Sequence, residues 1–154
     1  MKIAIASDFS GFRLKEAVKA YLLEKGFSLD DIGQQTPDEG MLYYEASGRL
    51  AQEISRGTYP KGIVICGTGA GVSMIANKYK GVYCVACESL YTAEKISLIN
   101  NANVLAMGER IVSAQIGCEM AEAFLTSIWC EGFDDARRTN NEKGFHILQQ
   151  LEER

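Results

Sequence analysis

Cys66 ends an apolar run, Ile63-Val64-Ile65-Cys66, and Gly67-Thr68-Gly69-Ala70-Gly71-Val72-Ser73 follows at once. The run predicts a strand, the glycines a tight turn, and Ser73-Met74-Ile75-Ala76-Asn77-Lys78 a helix. Such a junction aims successive backbone N–H groups, and the positive end of a helix dipole, at one point. A cysteine placed there is in the setting that favours thiolate. A base beside an anion-stabilising cradle points to proton transfer. Thr68 either adds a hydroxyl donor to the cradle or caps the helix that follows. Asp8, after the first apolar run, is either a helix N-cap or a carboxylate for sugar hydroxyls, and one side chain can do both. His146, the sole histidine, lies in a polar C-terminal stretch away from every predicted strand end. The usual neutral-pH acid/base group is therefore missing from the rim, and a proton shuttle has to use Cys66, a carboxylate or water.

The elements that must carry these residues alternate along the chain. Strands are expected at Lys2–Ser7, Phe27–Ile32, Lys61–Cys66, Val82–Cys87 and Val104–Met107. Helices are expected at Gly11–Glu24, Tyr43–Arg56, Gly71–Tyr79, Leu90–Asn100, Ser113–Ile128 (capped by Ser113) and Asn140–Glu152. Strands nearly all followed by helices imply a three-layer α/β/α, Rossmann-like domain with a five-stranded parallel sheet. Ligands of such sheets bind beyond the carboxyl ends of the strands, here Asp8, Gly33, Cys66, Glu88 and Gly108. Asp8 and Cys66 are thus expected on one rim. Residues 1–154 read as one domain, with 134–154 a helical tail that docks on a partner subunit.

Composition narrows the function classes. The 154 residues are 47% hydrophobic and 23% charged, with a net charge of −4. That balance offers no basic stripe for nucleic acid or for an anionic membrane, and no run approaches a membrane span. The five cysteines lie in apolar strand or helix patterns, as reduced thiols of a cytoplasmic protein would. Cys84 and Cys87 have zinc-knuckle spacing, but on a strand they point to opposite faces, and no second ligand pair is near. No metal site is expected. Gly67, Gly69 and Gly71 also suggest a dinucleotide loop, with Glu88 as its ribose-binding acid. The fingerprint requires glycine where Val72 stands, and it usually opens its fold, so no cofactor is expected either.

Met1–Gly11, Cys66–Gly81, Cys87–Ala93 and Asn100–Arg110 resemble the ribose-5-phosphate isomerase B family, which includes both subunits of galactose-6-phosphate isomerase. The most specific stretches are Cys66-Gly67-Thr68-Gly69-x-Gly71, Ala76-Asn77-Lys78-x-x-Gly81 and Asn103-Val104-Leu105-Ala106-Met107-Gly108-x-Arg110. The resemblance, which runs to about Arg138, implies a metal-free aldose–ketose isomerase acting on a sugar or sugar phosphate through a cis-enediolate. It also implies a homodimer or homotetramer with the site at the subunit interface. By position, Cys66 would carry the proton between C1 and C2. Thr68 and the amides of Gly67, Gly69 and Gly71 would stabilise the enediolate. Asp8, Tyr43 and Asn100 would bind sugar hydroxyls, Phe9 falls at a further substrate-binding position, and Arg110 and Arg138 would hold the phosphate.

The departures from the family cluster at the substrate. Its Asp-His after the first strand is here Asp8-Phe9, and its His-Asn, whose histidine opens the sugar ring, is Ile99-Asn100. Its Asp-Tyr-Pro is Leu42-Tyr43-Tyr44, and its Gly-Gly-Arg-His is Gly132-Phe133-Asp134-Asp135. A phosphate arginine has become a carboxylate, each such charge pair being worth roughly 1 kcal/mol in water and ~4 at an effective dielectric of 20. A missing ring-opening histidine implies an open-chain substrate such as a tetrose, another ring-opening group, or a residue from an unlike partner chain. Galactose-6-phosphate isomerase divides its site in that last way, and the resemblance leaves such a half-catalytic role as the alternative.

Overall fold

The computed structural model describes residues 1–153. Five strands form one parallel sheet: β1 (Lys2–Ser7), β2 (Ser28–Asp31), β3 (Gly62–Cys66), β4 (Cys84–Ala86) and β5 (Val104–Gly108), in the order β2-β1-β3-β5-β4. The helices are α1 (Phe12–Glu24), α2 (Tyr43–Ser55), α3 (Ala70–Ala76), α4 (Leu90–Leu98), α5 (Ala114–Thr126) and α6 (Asp135–Glu152).

Both sheet faces are covered, which is why the central strands are continuous apolar runs rather than alternating ones. On one face Ile3, Ile5, Ile63, Ile65, Leu105 and Met107 pack under α1, α4 and α5 through Leu14, Val18, Ile96, Met120 and Phe124. On the other, Ala4, Ala6, Val64, Cys66 and Ala106 pack under α2 and α3 through Ala46, Leu50, Ala51, Ile54 and Val72. Cys84 belongs to the second core and Cys87 to the first, so the two thiols do point apart. Strand order reverses between β1 and β3, with Ser7 beside Ile65 and Cys66 beside Gly108 in register. The ends of β1 and β3 therefore flank the crevice where a doubly wound sheet binds its ligand.

Several elements start or stop away from their expected positions, and each shift has a local cause. The first helix begins after a 3-10 turn at Phe9–Gly11, because the Asp8 carboxylate takes the amides of Ser10 and Gly11, both at 2.9 Å. The fourth strand is Cys84–Ala86 rather than Val82–Cys87, since the Tyr83 amide donates to the Asn103 side chain (2.8 Å) instead of extending the ladder. The last helix starts at Asp135 rather than Asn140, because Asp134 caps it by accepting the Arg137 amide at 2.8 Å. This helix buries none of its residues. It touches the rest of the chain through Phe145, edge-on to Tyr83 at 5.0 Å, and through Glu152, which accepts the Gly81 amide at 2.7 Å. No helix among the described residues is long and apolar enough to cross a membrane.

Candidate active site

The Cys66 thiol ends β3 on the α2/α3 side of the sheet. Its Sγ accepts the Gly69 N–H at 3.1 Å. Gly69 has φ +81°, a left-handed turn that glycine adopts freely, and a Cβ there would come 3.0 Å from the Met107 carbonyl carbon. The turn thus curls one amide back onto the sulfur. Cys66 is 5% exposed. That remaining surface opens on a cavity of about 310 Å³ lined by Asp8, Phe9, Ser10, Tyr43, Cys66, Gly67, Thr68, Gly71 and Arg110.

Each wall has a local reason for its place. Asp8 follows β1 and is held by Ser10, whose Oγ reaches both carboxylate oxygens, at 2.8 and 3.0 Å. Burial pushes the Asp8 carboxyl above its usual range, the hydrogen bonds from Ser10 and Gly11 pull against that, and the Glu109 charge adds to the rise. Tyr43 opens α2 and lies against the turn so closely that a methyl at Gly71 would come 2.9 Å from its ring. The Arg110 amide donates to the Gly67 carbonyl at 3.0 Å, bringing its side chain alongside the cradle. The guanidinium forms no ion pair among the described residues and leaves a free cation at the cavity. Glu109, next to it, anchors the loop by accepting the Leu14 amide of α1 at 3.0 Å.

Of the residues expected in one site, Asp8, Phe9, Tyr43, Cys66, Gly67, Thr68, Gly71 and Arg110 meet in this cavity. Three do not. Gly69 directs its amide at the thiol rather than outward, a correction to its expected place in the cradle. Asn100 lies in a separate groove of about 280 Å³ between the end of α4 and α6, with Ile99 and Phe145. Arg138 is exposed on the first turn of α6. The sign reversal at Asp134 is spent on capping its own helix. Arg137 stacks on the Phe133 ring, its guanidinium carbon 3.7 Å from the centroid. Thr68 does give its hydroxyl to the following helix, through a 3.4 Å contact from the Ala70 amide, while its exposed side still borders the cavity.

Ser10 escaped the sequence reading, although Asp-x-Ser-Gly is the signature of a turn in which serine and aspartate share hydrogen bonds. Conversely, two asparagines of the specific motifs are structural. Asn77 clamps both backbone groups of Cys84, each at 2.8 Å, and Asn103 bridges the Tyr83 amide and the Gly81 carbonyl at 2.8 and 2.7 Å.

Comparisons with known proteins agree with this architecture. The chain is 48% identical over 138 residues to the 4-deoxy-4-sulfo-D-erythrose isomerase of Clostridium sp. strain MSTE9, covering 90% of this chain and 87% of that protein. It is 33% identical over 125 residues to the D-erythrulose-4-phosphate isomerase of Pectobacterium atrosepticum, covering 81% and 82%. The crystal structure of ribose 5-phosphate isomerase B from Thermotoga maritima superposes with a TM-score of 0.86 at 33% identity, over 97% of each chain. The Ribose/Galactose Isomerase family profile matches residues 3–141. The chain belongs to the ribose/galactose isomerase family and is an enzyme of the aldose–ketose isomerase type.

Proposed function

We propose that the enzyme isomerises a four-carbon sugar carrying an anion at C4, a sulfonate in preference to a phosphate, with Cys66 as the base. The observation that carries this reading is a cavity that joins the Cys66 thiol to Gly67, Thr68, Gly71 and Arg110 and has no histidine in its lining. A tetrose whose C4 bears sulfur, or whose O4 is esterified, has no hydroxyl able to close a five-membered ring. It is always open-chain and needs no ring-opening imidazole. Similarity to isomerases named for sulfo-erythrose and erythrulose phosphate supports the same substrate length.

The chemistry follows from the geometry. The Cys66 thiolate takes the C2 proton of the aldose, and the charge spreads into an enediolate facing the Gly67 and Gly71 amides and Thr68. Each well-placed donor contributes as much as ~3–4 kcal/mol at such a site. The thiol returns the proton to C1, while the second proton passes from O2 to O1 of the same substrate. Asp8 and Tyr43 bind hydroxyls, and Arg110 holds the C4 anion. A sulfonate carries one negative charge where a phosphate carries about 1.5 to 2 at neutral pH, which suits a site with few cations.

A second copy of the chain completes the pocket, supplying Asn100 and Arg138 from its α4–α6 face. The exposed Ile147, Leu148 and Leu151 of α6 support that docking. Following C1 and C2 by NMR tests the substrate. Both 4-deoxy-4-sulfo-D-erythrose and D-erythrose 4-phosphate should convert, the sulfonate with the higher kcat/KM, and ribose 5-phosphate at least about 100-fold less well. Preference for ribose 5-phosphate overturns the reading. Activity that appears only after adding an unlike chain from the native source would replace the homo-oligomer.

A further inference from the structure

The cavity has two aromatic walls, Phe9 and Tyr43, which come from different elements and have no ladder hydrogen bond to each other. What registers them is a side chain outside the site. Gln34 follows β2 and is completely buried. Its amide nitrogen donates to the Pro37 carbonyl at 3.3 Å, and its Oε1 accepts the Met41 N–H at 3.0 Å. Met41 in turn accepts the Phe9 N–H on its own carbonyl at 3.1 Å. One residue further on, Leu42 caps α2, and Tyr43 begins it.

The main chain of Gln34 is pinned on both sides. Its N–H donates to the Ser7 carbonyl at 3.0 Å, and its carbonyl accepts the ammonium of Lys15 at 2.6 Å. Lys15 is itself fully buried and ion-paired with Asp31 and with Glu16. A buried amide with both ends satisfied, on a main chain locked by a paired cation, makes a rigid bracket. Without it, the loop from Gln35 to Gly40 would leave Met41 free to drift, and with it the relative position of Phe9 and Tyr43.

We infer that Gln34 is a positioning residue, which acts through Met41 to set the spacing between the two aromatic walls around the substrate. It touches neither the substrate nor Cys66. This inference rests on the cavity being the sugar site. Its predicted signature is therefore a binding defect rather than a chemical one.

The test compares Gln34→Leu and Gln34→Asn, which cannot reach the Met41 amide, with Gln34→Glu. The Glu carboxyl, in the neutral form that burial favours, keeps an acceptor for Met41 and a donor for Pro37. The first two should raise KM by about 10-fold or more with kcat within about 3-fold, while Gln34→Glu stays within about 3-fold on both. Hydrogen exchange should also quicken at residues 8–11 and 41–45 in Gln34→Leu and Gln34→Asn, and stay unchanged across β3. If Gln34→Leu does not fold, Gln34→Asn alone carries the comparison. Unchanged KM and unchanged exchange in the disrupting variants overturn the role. So does a loss of kcat that Gln34→Glu shares. Absence of turnover in the unsubstituted enzyme defeats the substrate reading instead, and leaves the exchange experiment standing.

Discussion

The β3–α3 and β4–α4 junctions are built from the same parts, a strand, a cysteine and a short turn into a helix, yet Cys66 lines the candidate cavity and Cys87 does not. At β4–α4, Ser89 caps the helix by accepting the Thr92 amide at 3.2 Å. Burial pushes the Cys87 thiol up to about 11 and the Cys84 thiol further still, with the charge of Cys87 a lesser cause for Cys84. At β3–α3 the helix is preceded by Gly69, which offers no side-chain cap and gives its N–H to the Cys66 sulfur. A strand-end cysteine opens on a cavity where its turn is small enough to bend a donor onto it and leave space above. Position on the sheet is not sufficient.

Removing each thiol in turn separates the two junctions most strongly. Cys66→Ala should lower kcat by about 10³-fold, within the range for losing a general base, while Cys87→Ala leaves kcat within about 3-fold. Rates of alkylation by iodoacetamide should separate the thiols in the same way, with substrate protecting Cys66 and none of the other four. Next in size is the turn itself. Gly71→Ala brings a methyl to 2.9 Å from the Tyr43 ring as it now stands. The half-exposed ring swings outward, so KM should rise about 10-fold, close to 1.4 kcal/mol, with little change in melting temperature. Its counterpart, Ser89→Ala, should cost about 1 kcal/mol of stability by denaturant titration and leave kinetics intact.

The smallest effect lies just before the opposite end of β3. Lys61 donates to Ser97 Oγ at 2.7 Å and to the Phe124 and Ser127 carbonyls at 2.8 and 3.2 Å, all uncharged partners. Burial pushes its ammonium down to about 8. Between that value and the unfolded one, near 10.4, the unfolded chain holds a proton that the folded chain has released. The stability contributed by Lys61 therefore rises with pH through this window and is lost as pH falls through it. The melting temperature of the native protein minus that of Lys61→Met should grow by about 2 °C between roughly pH 7.5 and 10. A flat or falling difference would contradict the assignment.

How much of this was legible in the residues depended on whether the cause was local. The strand at Ile63–Cys66, its glycine turn and the pairing of Asp8 with Cys66 on one rim follow from short-range patterns and a general property of parallel sheets. Strand order did not follow, since β1 beside β3 is a long-range pairing that periodicity does not encode. The true start of α6 was hidden because its early turns are polar, and Asp134 signals only as a cap. Gly69 was read as one more cradle amide because sequence does not show which way a left-handed turn sends its N–H. The resemblance assigns Asn100 and Arg138 to the substrate, but within this chain Asn100 lies in a separate groove and Arg138 is exposed on α6, so neither lines the Cys66 cavity.

In the proposed reaction the Cys66 sulfur carries hydrogen between C2 and C1. Converting 4-deoxy-4-sulfo-D-erythrose in D2O and reading C1 of the ketose by NMR tests this directly. The native enzyme should incorporate deuterium there, and Cys66→Ala, shown by calorimetry still to bind the sugar, should neither convert nor exchange. Conversion or exchange by that variant at the native rate would contradict it.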